Sequence, residues 1–141
     1  ACVKAWPTLE QEQERALEIF KDFPAPKLGY TEITKKYDDA ATVREQLMKI
    51  KEDWPEFRKK LQGQVYPFAR MQDLMKRAGA PYDPSMIGVT RLMLKNMFPK
   101  VQLMRFRFNV LDLAKRGMFY DPLVESVFAP GAAWDLTKEL K

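Results

Sequence analysis

Arg105–Gly117 reads RFRFNVLDLAKRG, and the fold turns on how that stretch is read. It opens by alternating cation and aromatic, as a strand or a nucleic-acid-binding ribbon would, then shifts to a helical rhythm. Val101, Met104, Phe108 and Leu111 recur at i, i+3, i+7 and i+10. That spacing assigns the stretch to one face of a helix and makes the alternation incidental. The helix is predicted to run from near Lys100 to Arg116, with Gly117 closing it. Asp112 and Arg116 would then stand one turn apart, an i,i+4 pair worth about 0.3–0.5 kcal/mol. Arg105 lies two turns before Asp112 on a similar face. Asn109 falls between them, as a polar cap or as a member of a polar network.

The punctuation on both sides is also helical. Thr8 with Gln11 forms a capping-box pattern. Leu9, Ala16, Leu17 and Phe20 follow at helical spacing until FPAP stops the run. Thr42 with Glu45 repeats the capping signal, and Val43, Leu47, Ile50 and Trp54 make a one-sided apolar stripe. Pro55 restarts a helix with Phe57, Leu61 and Val65 on one face. Pro67 opens another with Phe68, Met71, Leu74, Met75 and Ala78 inward and Gly79 as a left-handed cap. APYDPS is a loop. Thr90 is predicted to cap a short helix that Pro99 ends after Phe98. Asp121-Pro122 begins DPLVESVF, and APG separates it from a final AWDLTKEL. No segment alternates β-branched residues between turns, so the expectation is one all-α domain over 1–141, a bundle of about six to eight helices.

Composition narrows the chemistry. The 141 residues are 46% hydrophobic and 30% charged, with net charge +5. That is enough apolar material for a core. Lys and Arg are interleaved with Asp and Glu, which argues against a nucleic-acid face and for a solvated mixed surface. No apolar run is long enough to span a bilayer. Cys2 is the single cysteine, which points to a reducing, cytoplasmic compartment. Histidine is absent, which removes imidazole bases, triads and imidazole metal sites. The six glycines are isolated, so there is no phosphate-cradling glycine loop. The eight methionines read as core filling, or alternatively as a partner surface. Trp6, Trp54 and Trp134 read as core or lid packing.

With these residues in view, RFRFNVLDLAKRGMF resembles the C-terminal signature of the sn-glycerol-1-phosphate dehydrogenases, in the iron-containing alcohol dehydrogenase and dehydroquinate synthase-like superfamily. Arg105, Arg107, Phe108, Val110, Leu111, Asp112, Leu113, Gly117 and Met118 carry the match, with Asn109 where Thr is usual. Upstream, Leu74, Ala78, Gly79, Ala80, Pro81, Ile87 and Gly88 are similar to the family's helix, Ala-Gly-Ala-Pro loop and Ile-Gly. Val43, Leu47, Trp54 and Leu61 are similar to its paired helices around a Trp. ACVKAW resembles the continuation of the helix that follows the family's last metal-binding His-Gly.

The resemblance implies a helical C-terminal part of a two-domain enzyme. NAD(P) and a divalent metal, usually zinc, would sit in parts of the parent that have no matching position here. No catalytic, cofactor or metal residue therefore transfers, and the chain alone is expected to bind neither group and to be inactive. Arg105, Arg107 and Asp112 remain as candidates, either for the phosphate of dihydroxyacetone phosphate or glycerol 1-phosphate, or as structural ion pairs. Asp112 by itself could also be an acid or a metal ligand. The expected partners are the missing nucleotide-binding domain, a phosphorylated small substrate in the parent, and a second copy of the chain by self-association. The alternative is a non-catalytic helical interaction module derived from the same fold.

Overall fold

The computed structural model describes residues 5–138. Cys2, the Ala1–Lys4 part of ACVKAW, and Glu139–Lys141 at the end of AWDLTKEL lie outside the described residues. Among those described there are eight α-helices and no strand: α1 (Leu9–Phe20), α2 (Leu28–Lys36), α3 (Ala40–Glu52), α4 (Trp54–Gln64), α5 (Phe68–Arg77), α6 (Arg91–Leu103), α7 (Val110–Arg116) and α8 (Tyr120–Phe128). Short 3-10 turns occupy Pro84–Ile87 and Leu136–Lys138. The all-α expectation and its helix number hold. No helix among the described residues is long and apolar enough to cross a membrane.

The centre is α1 against α2, with α6 lying across both. Ala16, Phe20, Ile33 and Leu103 form the buried cluster, flanked by Ile19, Phe23 and Leu28. The Thr8–Gln11 capping box starts α1 as its sequence requires. The sequence does not announce α2, and the reason is physical. LGYTEITKK carries Gly, Thr and Ile, which are weak helix formers, and no side chain caps its start. Packing supplies what propensity does not. Gly29 lets the two helices close: a Cβ there would stand 2.7 Å from Cδ2 of Phe20. Gly29→Ala gains about 1 kcal/mol of helix propensity and loses about 1–3 kcal/mol to overpacking. The expected outcome is a lower urea midpoint, by about 1 kcal/mol net in unfolding free energy.

Several boundaries are corrected. The predicted helix from Lys100 to Arg116 is two helices, α6 and α7, parted by residues 104–109. Asn109 breaks it: its extended backbone (φ −136°, ψ 177°) and side chain cap α7. Conversely, Pro99 does not end α6, which runs on to Leu103 with the proline inside it. A mid-helix proline costs about 3 kcal/mol. Full burial of Leu103 and the bonding of Gln102 described below hold the last turn against that cost. The third helix begins at Ala40 under Asp39, whose carboxylate accepts the Thr42 N–H at 2.8 Å; Thr42 is not the cap. DPLVESVF starts one residue earlier, at Tyr120. The described part of AWDLTKEL is only a 3-10 turn at Leu136–Lys138.

Burial is the larger correction. Helices α4 and α5 contribute no buried residue. Trp54, Phe57, Phe68 and Met71 are exposed rather than inward. Of the methionines, Met48, Met71, Met86, Met93, Met97 and Met118 are exposed, so core filling is not their role. Trp134 stacks edge-on against Phe68, and the Trp6 indole donates to the carbonyl of Asp38 at 2.9 Å. Gly117 closes α7 without a left-handed turn (φ −77°). Met118 takes that conformation instead (φ 60°). Glycine is needed at 117 because a Cβ would lie 2.3 Å from the Phe119 ring.

Candidate functional site

Charged residues from three helices and the α2–α3 connection, with a glutamine from each of two further helices, meet around the C-terminal half of α6. Asp112 sits one turn into α7, where its Oδ2 accepts the Asn109 N–H at 2.9 Å. The Asn109 side chain in turn accepts from the N–H groups of Leu111 and Asp112. This is a reciprocal cap, and it explains Asn109. The other Asp112 oxygen receives Lys36 Nζ and Gln102 Nε2, both at 2.7 Å. Lys36 also donates to the Gln102 carbonyl. Lys36 and Asp112 are both nearly sealed from water, with side chains 7% and 6% exposed.

The network continues in two directions. Gln102 Oε1 accepts from Arg15 at 2.8 Å, Arg15 pairs with Glu12 at 3.0 Å, and Lys115 reaches both Glu12 oxygens at 2.7 Å. On the other side Arg116 pairs with Asp38 at 2.7 Å, donates to Gln46 and covers the Phe108 ring. The expected Asp112–Arg116 pair is thus replaced by two long-range pairs, Asp112 to α2 and Arg116 to the α2–α3 connection. Buried charges must be paired to be tolerated, and these are.

Arg105 and Arg107 are not brought to Asp112. They are exposed in the 104–109 connection and line a shallow cavity of about 400 Å³ with Leu28, Glu32, Met104 and Phe106. Glu32 pins that connection by accepting the Phe106 N–H at 2.7 Å. The hydrogen bond from Lys35, with help from Phe106, holds the Glu32 carboxyl below its usual range.

Sequence reasoning missed Lys115 and Tyr120. They line a cavity of about 520 Å³ with Arg15, Pro99, Gln102 and Asp121. Burial, reinforced by Arg15, pushes the Lys115 ammonium down to about 8 despite Glu12. Burial pushes the Tyr120 hydroxyl up to about 12, and that hydroxyl is buried without a hydrogen-bond partner. The signal available in sequence was only Lys115 at i+3 from Asp112, too weak to single out.

For Lys115 the linkage has a definite sign. A lowered lysine value means that the unfolded chain holds the proton that the folded chain has lost between pH 8 and 10.5. Stability should therefore rise with pH across that window relative to Lys115→Met, and the two should run parallel below pH 8. Urea unfolding of both proteins across the window is the measurement. A full shift corresponds to at most about 3 kcal/mol.

A divalent metal needs several converging ligands, and a nucleotide a glycine-rich turn for its phosphates. Among the described residues no three acidic or thiol groups converge to hold a metal, and the chain has no histidine. The isolated glycines make no phosphate-binding turn. These residues do not fit either group. Comparison of the chain with family models, with curated proteins and with solved structures finds no match.

Proposed function

We propose that the chain is the C-terminal helical portion of a metal-dependent, NAD(P)-linked glycerol-1-phosphate dehydrogenase-like oxidoreductase, inactive in isolation. Metal and nucleotide would be held by other parts of the parent protein. One observation carries the reading beyond the sequence resemblance. The accessible surface is 10123 Å², whereas a compact protein of 16.5 kDa exposes about 7,600 Å². Many large hydrophobic side chains are open to solvent. Met93, Met97 and Val101 make an open stripe at four-residue steps along α6, and Phe106 and Phe108 in the connection and Val110 at the start of α7 are open as well. Open apolar area on this scale is what a domain shows when it is built to be covered by another.

Within this reading Asp112 is structural, because its oxygens are committed to Lys36, Gln102 and Asn109. Arg105 and Arg107 are the residues that face a phosphorylated substrate. A guanidinium offers phosphate two parallel donors, and neither arginine is drawn into the buried network.

Complementation is the test. The 141-residue chain is mixed or co-expressed with the separately produced nucleotide-binding half of a glycerol-1-phosphate dehydrogenase carrying the metal ligands. The expected result is a complex that oxidises NAD(P)H only when dihydroxyacetone phosphate is present, with neither half active alone. Failure to form a complex and to turn over overturns the proposal, as does turnover by the 141-residue chain by itself.

A further inference from the structure

Lys115 lines the cavity of about 520 Å³ bounded by α1, α6, α7 and the start of α8. Ile19, Pro99 and Met118 give that cavity apolar walls, and Arg15, Gln102 and Asp121 give it polar ones. The Lys115 ammonium spans both Glu12 oxygens at 2.7 Å. Arg15 draws on the same carboxylate through Nε and one terminal nitrogen, at 3.2 and 3.0 Å, and that nitrogen also donates to Gln102. One carboxylate therefore serves two cations. The Glu12 side chain is 5% exposed and the Lys115 side chain 20%, so the carboxylate is sealed while the lysine stays within reach from the cavity. Among the described residues the other terminal nitrogen of Arg15 donates to no protein acceptor. The groups facing the amine are Glu12 and Arg15 from α1, and Asp121 and Tyr120 from α8. Behind them, Lys36 is paired with Asp112 and Arg116 with Asp38.

We propose that Lys115 is a nucleophile that captures a small anionic aldehyde or ketone in this cavity as a Schiff base. A lysine becomes a nucleophile where apolar surroundings and a neighbouring cation favour its neutral form. The cavity walls and Arg15 supply both. Their effect on the amine, which titrates near 8, leaves a useful fraction of it neutral at pH 7.5. Nζ adds its lone pair to the carbonyl carbon, and the π pair moves to oxygen. The carbinolamine then loses that oxygen as water while nitrogen and carbon form a double bond. Amine and carbonyl become imine and water, with no redox change. Glu12, within 2.7 Å of Nζ, relays to the departing oxygen the two protons that Nζ sheds. The free terminal nitrogen of Arg15 is the donor for the ligand's carboxylate or phosphate. The cavity has the volume of an ordinary small-molecule site. The proposal stands apart from the enzyme reading: the adduct is read by mass and not by turnover, so either can fail alone.

The test treats the 141-residue chain with limiting glyoxylate and sodium cyanoborohydride at pH 7.5, followed by peptide mass mapping. Hydride from the cyanoborohydride reduces the imine to a secondary amine and fixes the ligand on the lysine that formed it. Lys115 should carry the adduct about tenfold or more ahead of the other lysine side chains. An amine titrating near 8 is neutral roughly a hundredfold more often at this pH than an ordinary lysine. Lys115→Arg, which keeps a cation beside Glu12, should remove that adduct and leave the others. Propionaldehyde, small and uncharged, reads the anion. The glyoxylate-to-propionaldehyde ratio at Lys115 should exceed that at the surface lysines, and Arg15→Gln should lower it about tenfold. A ratio cancels any change in the reactivity of the amine itself. An adduct spread evenly over the lysines of the unaltered chain overturns the proposal, whatever the variants do to folding. A ratio at Lys115 no higher than at the surface lysines overturns it too, because the ligand then needs no anion.

Discussion

Asp112→Ala is expected to destabilise the protein by about 3–5 kcal/mol, the cost of leaving a buried ion without its partner. The ammonium of Lys36 would remain sealed beneath α2, 2.7 Å from an acceptor no longer there. The Gln102 amide and the Asn109 N–H would lose the same carboxylate, and with them the far half of the α7 capping box. Asp112→Asn should recover little, because an amide does not neutralise Lys36. Lys36→Met with Asp112→Leu should recover most of the loss, since apolar pairs of similar volume commonly replace buried ion pairs at no cost. Urea unfolding of the single and double variants gives the coupling directly. A loss below about 1 kcal/mol for Asp112→Ala would remove the structural role of this carboxylate and reopen its reading as a substrate or metal group.

Phe20→Ala is expected to cost about 3–5 kcal/mol. Phe20 is fully buried at the point where α1, α2 and α6 meet, against Ala16, Ile33 and Leu103, with Phe23 edge-on at 5.3 Å and Gly29 closing over its ring. The core around it is small, so few neighbours are free to collapse into the space left. Domains of this size hold about 5–15 kcal/mol in all, so the variant should be partly unfolded at room temperature. Thermal unfolding followed by circular dichroism should show a midpoint lowered by about ten degrees or more, since about 1 kcal/mol moves it about 3–4 °C in a domain near this size. Phe20→Leu should lose much less. If Phe20→Ala left the midpoint unmoved, the α1–α2–α6 contact would not be the core of this protein.

Both variants act where local sequence was hardest to read. The run from Lys100 to Arg116 carries an apolar pattern that fits one helix, and the structure breaks it at Asn109. Periodicity counts faces but does not weigh a side chain that competes for backbone N–H groups. Asn109 prefers to cap, and Asp112 three residues later closes the box. Pro99 misled in the other direction, because the burial of Leu103 and the bonds of Gln102 override a local breaker. One unbroken helix would set Arg105 and Asp112 on a similar face. With the helix divided, the arginines face solvent and the carboxylate faces Lys36, a residue 76 positions away in sequence. Lys115 and Tyr120 draw their shifted acidities from burial, a property that no spacing encodes.

Sequence alone determined the all-α class, the capped starts of α1 and α6, the proline restart of α4 and the left-handed Gly79. Each of these is a contest within one or two helical turns, between backbone groups and the side chains next to them. Tertiary structure decided that the weak segment at Leu28–Lys36 is a helix, which partners Asp112 and Arg116 take, and which apolar stripes are buried. Those outcomes depend on what lies across the gap between helices, where a cation seals beneath a neighbour or a methionine stripe meets only water.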